Sequence, residues 1–379
     1  MQERFLYALS RLARVAWCAV AAVATAAAAE APPPVALAPE NPAMHKWVEL
    51  APGVHAFISP PGVTPIVSGN SMVVIGDDAV LVVDSGQFPS LARVEIDTIR
   101  KLTSLPVRFL VNTHWHPDHW LGNAEFKAAW PDIAIISTQN TRALAESKGA
   151  ASTTTAYANG TLAAVEKVLA DAGTKAPPLT GVQRAYYEMA VPQFRTLAAE
   201  VANVRRVYPD VVFRDALDID LGGRRVEVRF LGRGNTGGDA VVYVPDAKVA
   251  AAGDLLVSPF PYGAGSFYSE WVATLKKLAA LDTRAIVPGH GEVMTDKRYI
   301  ERLIALIEAA RAQVGAAVRE GAALDEVRRK IRLQDEEAAF CGGDAWCRFG
   351  FRGNFAAYAV ERIYREAREG PLAGEGEGG

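Results

Sequence analysis

Thr113-His114-Trp115-His116-Pro117-Asp118-His119 places three of the chain's six histidines and one carboxylate within a single short stretch. Imidazole and carboxylate are poor core groups unless they are paired or ligated. Their crowding here points to metal ligation rather than to packing. In extended or turning backbone, His114 and His116 point to the same side, while adjacent Asp118 and His119 diverge. That spacing suits two ligands for one ion and two for a neighbouring ion. The apolar, β-branched run Val107-Arg108-Phe109-Leu110-Val111-Asn112 reads as a buried strand, so the histidines sit where a strand ends and a loop begins. A histidine-rich surface loop is the plain alternative.

Three later segments each end an apolar strand with a polar residue able to face that loop. They are Leu231-Gly232-Arg233-Gly234-Asn235-Thr236-Gly237-Gly238-Asp239, Ala251-Ala252-Gly253-Asp254 and Pro288-Gly289-His290-Gly291. Glycines beside each candidate allow sharp turns at a crowded site. With the opening motif, these segments resemble the metallo-β-lactamase superfamily over roughly residues 47–321, apart from an insertion. The resemblance implies an α/β fold, a four-layer αββα sandwich with a two-metal cleft at one edge of its sheets. It would give His114 and His116 to a first metal, Asp118, His119 and His290 to a second, and Asp254 to both. Asp84, at the end of an earlier strand, would orient a metal-bound imidazole from behind; a plain turn residue is the other reading. The implied cofactor is Zn2+, one or two per chain.

One position departs from the family. The glycine-rich segment normally carries a third histidine for the first metal, and this chain has Asn235 there. An amide oxygen is a weaker zinc ligand than imidazole nitrogen. Asn235 then binds directly, or through a water, or only structures its loop beside a weak or empty first site. Asp118, His119, Asp254 and His290 would still complete a single site. Zinc lowers the pKa of bound water to about 7, which implies a hydroxide nucleophile oriented by Asp118. The loop 260–267, directly after Asp254, either lines the cleft with aromatic surface or packs into the core. His45 and His55 have no partner motif and read as structural or solvated. No G-x-S-x-G elbow or phosphate-cradling loop is present.

The expected function is zinc-dependent hydrolysis of a small amide, ester or thioester, with β-lactams inside the range. Asp at position 254 resembles the family's thioesterases; its dedicated lactamases carry Cys or Ser there. A non-hydrolytic, metal-binding accessory protein of a periplasmic redox or maturation pathway is the competing class, motivated by Asn235. The formal net charge of −3 carries no nucleic-acid footprint, which leaves a small-molecule substrate as the expected partner. Oligomeric state is not legible.

Positioning these residues requires a strand-rich frame. Strands are expected over 47–50, 54–59, 72–75, 79–83, 107–112, 133–137, 211–213, 225–230, 240–244, 249–252 and 285–287, with helices over 91–102, 122–129 and 268–281. A helical insertion over about 139–205, interrupted by Pro192, places Tyr186, Tyr187, Met189 and Phe194 on potentially exposed faces. Asp296 is positioned to cap a long helix ending at Gly321. Arg4, Arg11 and Arg14 precede an apolar run ending in small residues, the form of a cleaved signal peptide over 1–29. That implies a periplasmic or secreted protein with no stable membrane anchor after cleavage. A linker follows over 30–46. Cys341 and Cys347 read as a disulfide in a C-terminal helical extension over 322–369, before a disordered tail over 370–379.

Overall fold

A computed structural model of the chain describes residues 41–60 and 64–374. The expected signal peptide, most of the linker and the last five residues lie outside the described residues. The first sheet takes its strands in chain order: β1 (Lys46–Ala51), β2 (Val54–Ile58), β3 (Ser71–Ile75), β4 (Val80–Val83), β5 (Val107–Val111), β6 (Ala134–Thr138) and β7 (Val211–Phe213). β1 to β4 pair antiparallel, and β4 to β7 pair parallel. The second sheet contains β8 (Ala216–Asp220), β9 (Arg225–Phe230), β10 (Ala240–Val244), β11 (Val249–Val257) and β12 (Ala285–His290). Its spatial order is β12-β11-β10-β9-β8, with β11 and β12 parallel.

Side-chain alternation builds the layers. Val74, Leu81, Val83 and Val111 face Val226, Val228, Val242 and Ala251 between the sheets. Their neighbours Val73, Val80, Val82 and Leu110 point the other way, as a period of two requires. That outer face is covered by α1 (Pro89–Leu102) and α2 (Asn123–Ala129) through Ala92, Ile96, Ile99 and Phe126. On the far side, Val241, Ala250 and Ala252 lie under later helices through Trp271, Leu275, Ile300 and Leu303. Because both sheets are covered on both faces, their central strands read as unbroken apolar runs. The fold is the expected four-layer αββα sandwich.

Several local expectations change. β8 was not expected: it is an edge strand whose only apolar pair, Leu217 and Ile219, alternates with Asp218 and Asp220. β7, expected as a strand over 211–213, closes the first sheet beside β6. The insertion forms α3 (Gln139–Leu144), a π-helical turn Ala145–Gly149, α4 (Ala150–Ser152), α5 (Thr155–Asp171) and α6 (Gly181–Val201). Pro192 does not interrupt α6, which is started by a Thr180–Gln183 capping box. Tyr187 and Phe194 are buried rather than exposed, because α6 packs against Trp115 and Trp120 of the histidine loop. Tyr186 meets Phe349 of the C-terminal extension, with ring centroids 5.1 Å apart.

After the sheets come α7 (Tyr268–Ala279), α8 (Arg298–Arg319), α9 (Leu324–Lys330), α10 (Gln334–Cys341), α11 (Ala345–Phe351) and α12 (Ala357–Glu369). Asp296 is not the cap residue of α8. Lys297 holds that position, and the Asp296 carboxylate accepts the Arg298 N–H at 3.0 Å from one residue earlier. Cys341 and Cys347 form a disulfide that joins α10 to α11. Residues 370–374, expected to be disordered, are held in place. Arg233 donates to the Leu372 carbonyl at 3.0 Å and Arg362 to that of Gly374 at 3.2 Å. The linker also ends earlier than expected: Pro42–Met44 is a 3-10 turn, Lys46 opens β1, and His45 stacks on Phe57.

One acid on the buried face of α1 has a measurable consequence. Glu95 accepts a hydrogen bond from Ser71 Oγ. Burial, with the nearby Asp84 charge adding and Ser71 opposing, pushes its carboxyl from 4.5 up to about 8. Folding therefore takes up a proton between those values, so this contribution is fully present below the unfolded pKa and is lost as pH rises toward about 8. Glu95→Gln removes it. Urea unfolding between pH 5 and 8 should show a flatter loss of stability in the variant, by on the order of a few kcal/mol. Equal slopes for the two proteins would refute the assignment.

Candidate metal centre

The expected ligands gather at the ends of four strands. Asp84 follows β4, the histidine loop follows β5, Asp254 lies within β11 and His290 ends β12. The parallel pairings β4–β5 and β11–β12 run the strands of each pair in one direction and so bring these four segments toward one edge. One feature of the loop differs from expectation. Pro117–His119 forms a 3-10 turn, and Asp118 and His119 converge instead of diverging. Their Oδ2 and Nε2 atoms are 3.3 Å apart, because the turn swings both side chains into the same cleft.

On one side, His114 Nε2 faces His116 Nδ1 at 2.8 Å. Thr113 Oγ1 donates to Asp84 Oδ2 at 2.8 Å and can therefore accept from His114 Nδ1 at 3.0 Å. This assignment leaves the His114 Nε2 lone pair directed at the cluster. On the other side, His290 Nε2 lies 3.0 Å from Asp118 Oδ2 and 3.3 Å from His119 Nε2. Asp254 stands between the two. Its Oδ2 is 3.5 Å from His114 Nε2 and 3.8 Å from His116 Nδ1, and its Oδ1 is 3.3 Å from His119 Nε2 and 3.4 Å from His290 Nε2. Two triads, His114–His119–Asp254 and Asp118–His119–His290, each bring one ligand atom per residue within 4.8 Å of the others.

Asp84 works from behind. Its carboxylate accepts the Thr113 N–H at 2.7 Å and contacts His119 Nδ1 at 2.8 Å, which turns His119 Nε2 toward the cleft. Asp84 adopts φ +60° to do this, a left-handed conformation uncommon outside glycine although Asp tolerates it better than most. Gly289 and Gly69 allow the closest approaches. A Cβ on Gly289 would lie 1.9 Å from Asp254 Oδ1, and one on Gly69 would lie 2.5 Å from the His119 ring.

The electrostatics call for a cation. Burial lowers His114 to about 4, with its histidine neighbours adding and Asp254 opposing. Burial would lower His119 as well, but the charges of Asp118, Asp254 and Asp84 outweigh it and hold His119 well above its ordinary value. His290 is raised in the same manner, chiefly by Asp254 and Asp118 against burial. Burial would raise the Asp118 and Asp254 carboxyls, yet the surrounding imidazoles hold both below the usual range. Asp254 Oδ1 has no hydrogen-bond donor. A buried carboxylate oxygen without a hydrogen-bond donor, beside imidazole nitrogens that can release their protons, is a donor set suited to a divalent metal.

Residues 64–290 match the family model described as the metallo-beta-lactamase superfamily. The chain belongs to that superfamily. It is 25% identical over 286 residues to the linear primary-alkylsulfatase of Pseudomonas sp. (strain ATCC 19151), covering 69% of this chain and 50% of that protein. The chain thus spans about half the length of this curated relative. Solved structures similar to it include a metallo-beta-lactamase from Pontibacter korlensis, at TM-score 0.48 and 18% identity over 70% of this chain and 99% of that one. Another is DIM-1 metallo-beta-lactamase, at TM-score 0.47 and 16% identity over 70% and 98%.

Within this superfamily member, Asn235 lies beside the site and is 1% exposed. Its Nδ2 donates to the Tyr262 carbonyl at 2.9 Å, which leaves Oδ1 as a buried acceptor with no hydrogen-bond partner. The Tyr262 ring in turn meets the His116 ring edge-on at 5.7 Å. Of the loop 260–267, Tyr262 faces the site, whereas Phe260 and Phe267 pack in the core. His55 lies in β2 opposite Val73 and remote from the cluster.

Sequence reasoning missed the residues that brace the loops. Asn70 Nδ2 donates to the Pro288 and Gly291 carbonyls at 2.9 and 2.8 Å, pinning the turn that presents His290. The Asn112 amide reaches the His119 carbonyl at 3.2 Å and is itself bonded to Asn123. The available signal was polarity in the wrong place: Asn70 directly before β3, and Asn112 directly after β5. Because Asp84 orients His119, Asp84→Asn should lower divalent-metal affinity about 10- to 100-fold with the circular dichroism spectrum unchanged. Chelator competition followed by metal analysis checks this, and an unchanged affinity would remove Asp84 from the site.

Proposed function

We propose that this protein is a zinc-dependent hydrolase acting on a small ester- or amide-type molecule outside the cytoplasm. The observation that carries the reading is the Asp254 carboxylate, whose two oxygens face separate pairs of imidazoles. His114 and His116 would hold one zinc, Asp118, His119 and His290 the other, and Asp254 would serve both. Zinc, when bound, supplies an acidified water and a Lewis acid for the substrate's polarised oxygen. The protein's own part is positioning. Asp118 sits at the cleft mouth with its side chain 13% exposed, kept ionised by His119 and His290. It can accept a hydrogen bond from an attacking water and hold that water toward the substrate. Tyr262 offers an aromatic wall on the His116 side. Export is supported by the basic and apolar N-terminal sequence and by the Cys341–Cys347 disulfide.

The alkylsulfatase relative supports placing sulfate monoesters beside thioesters, lactones, phosphodiesters and β-lactams in a substrate panel. Turnover of at least one class is expected, falling about 10²- to 10⁴-fold in Asp118→Ala. Silence across the panel would favour the metal-binding accessory reading, for which Asn235 is the specific motivation.

The two metal lobes are expected to be unequal. The Asp118 side has a full protein donor set, whereas the His114 side has an amide in place of a third imidazole. Zinc titration should show two steps, and Asn235→His should tighten the weaker one by about tenfold or more. Two equally tight ions in the unsubstituted protein would sink this reading.

A further inference from the structure

We propose that Arg362, on the C-terminal α12, is a positioning residue for the His116 side of the metal centre and acts through the loop 258–267. The proposal rests on the reading above only in treating His114 and His116 as one lobe of a metal site.

The connection runs through consecutive residues of the loop. Tyr262 touches the site twice: its ring lies against His116, and its carbonyl fixes the Asn235 amide. Gly263 is held on both sides. Its N–H donates to the Asn354 carbonyl at 2.8 Å, and its carbonyl accepts from Tyr268 Oη at 2.9 Å. A Cβ at Gly263 would lie 2.1 Å from Tyr268 Oη and 3.2 Å from Phe355, so this contact depends on the bare backbone. Arg362 then takes the next carbonyls, donating through Nη2 to Gly265 and through Nε to Ser266, each at 3.1 Å. Phe267 closes the loop with the Arg233 and Arg362 guanidinium carbons 4.2 and 5.5 Å from its ring centroid.

Arg362 is 5% exposed, and burying a guanidinium is costly compared with an apolar side chain of similar volume. Packing alone would be served by methionine or leucine. What arginine adds is a rigid donor fork that engages two successive main-chain carbonyls at once. The segment so fixed is the one that sets the Asn235 amide and covers His116. The C-terminal extension thereby acts as the back wall of the metal centre.

The test uses the full chain and the Arg362→Met and Arg362→Lys variants. Hydrogen exchange by mass spectrometry reads the loop, and zinc titration reads the two lobes. In Arg362→Met, exchange over 258–267 should rise about tenfold or more while Val249–Val257 stays protected. The weaker zinc step should fall about tenfold, the tighter step should hold, and Arg362→Lys should recover part of both changes. If Arg362→Met does not fold, Gly263→Ala moves the same loop from the Tyr268 side and should give the same signature. Unchanged loop exchange, a loosened loop with both zinc steps intact, or a single zinc per chain overturns the proposal. Two zinc steps in the unsubstituted chain with the expected shifts in the variants, but without turnover on any substrate, would instead count against the hydrolase reading alone.

Discussion

Three buried carboxylates packed against four imidazoles form the constraint on which this molecule's arrangement depends. Taking a carboxylate out of water costs several kcal/mol unless positive charge or donors replace the solvent. Here the replacement is supplied unevenly. Asp84, Asp118 and Asp254 draw positive character onto His119 and His290, while burial keeps His114 a neutral imidazole. Without a metal, the carboxylates favour protons on His119 and His290. A divalent cation would take the place of those protons, because a histidine ligates only as the neutral imidazole, and the Asp254 carboxylate is the group common to the two sides.

The fold exists to bring these groups together without long loops. Parallel pairing of β4 with β5 and of β11 with β12 puts the same strand ends at one edge of each sheet, as open parallel sheets generally do for their ligands. The glycines at 69 and 289 then permit the final approach, because any side chain there would occupy the space of His119 or Asp254. Packing between the sheets is ordinary valine-rich burial. The specificity of the site lies in backbone geometry at its rim.

Much of this was readable from the amino acids. Apolar β-branched runs gave the central strands because those strands are buried on both faces and need no alternation. Clustered His and Asp residues marked the site because nothing else explains them. What escaped was whatever depends on context. β8 has only two large apolar residues and is held at an edge by Asp218 pairing with Arg225 and Arg229. Tyr187 and Phe194 looked exposed because their cover, Trp115 and Trp120, lies some seventy positions away in the chain. The convergence of Asp118 and His119 was misjudged because a single 3-10 turn reverses what strand periodicity implies. Asn70 carries no motif, and only the assembled turn at His290 shows what it holds.

The loop beside Asn235 is held in part by residues outside the family's own segment. The match to the superfamily model covers residues 64–290, yet Asn354, Phe355 and Arg362 all come later and all bear on the loop beside Asn235. An asparagine amide can turn over and exchange its donor for its acceptor unless its surroundings forbid it. The Tyr262 carbonyl forbids it here by requiring the Nδ2 donor. The acceptor is thus fixed as well, and the loop that fixes it is itself tied to α12. The orientation of Asn235 and the presence of the extension are then two parts of one arrangement, joined through Tyr262 and Gly263. A shared motif points to a class of chemistry, whereas the residues that fix this loop belong to this chain's own extension, and fold alone does not carry them over.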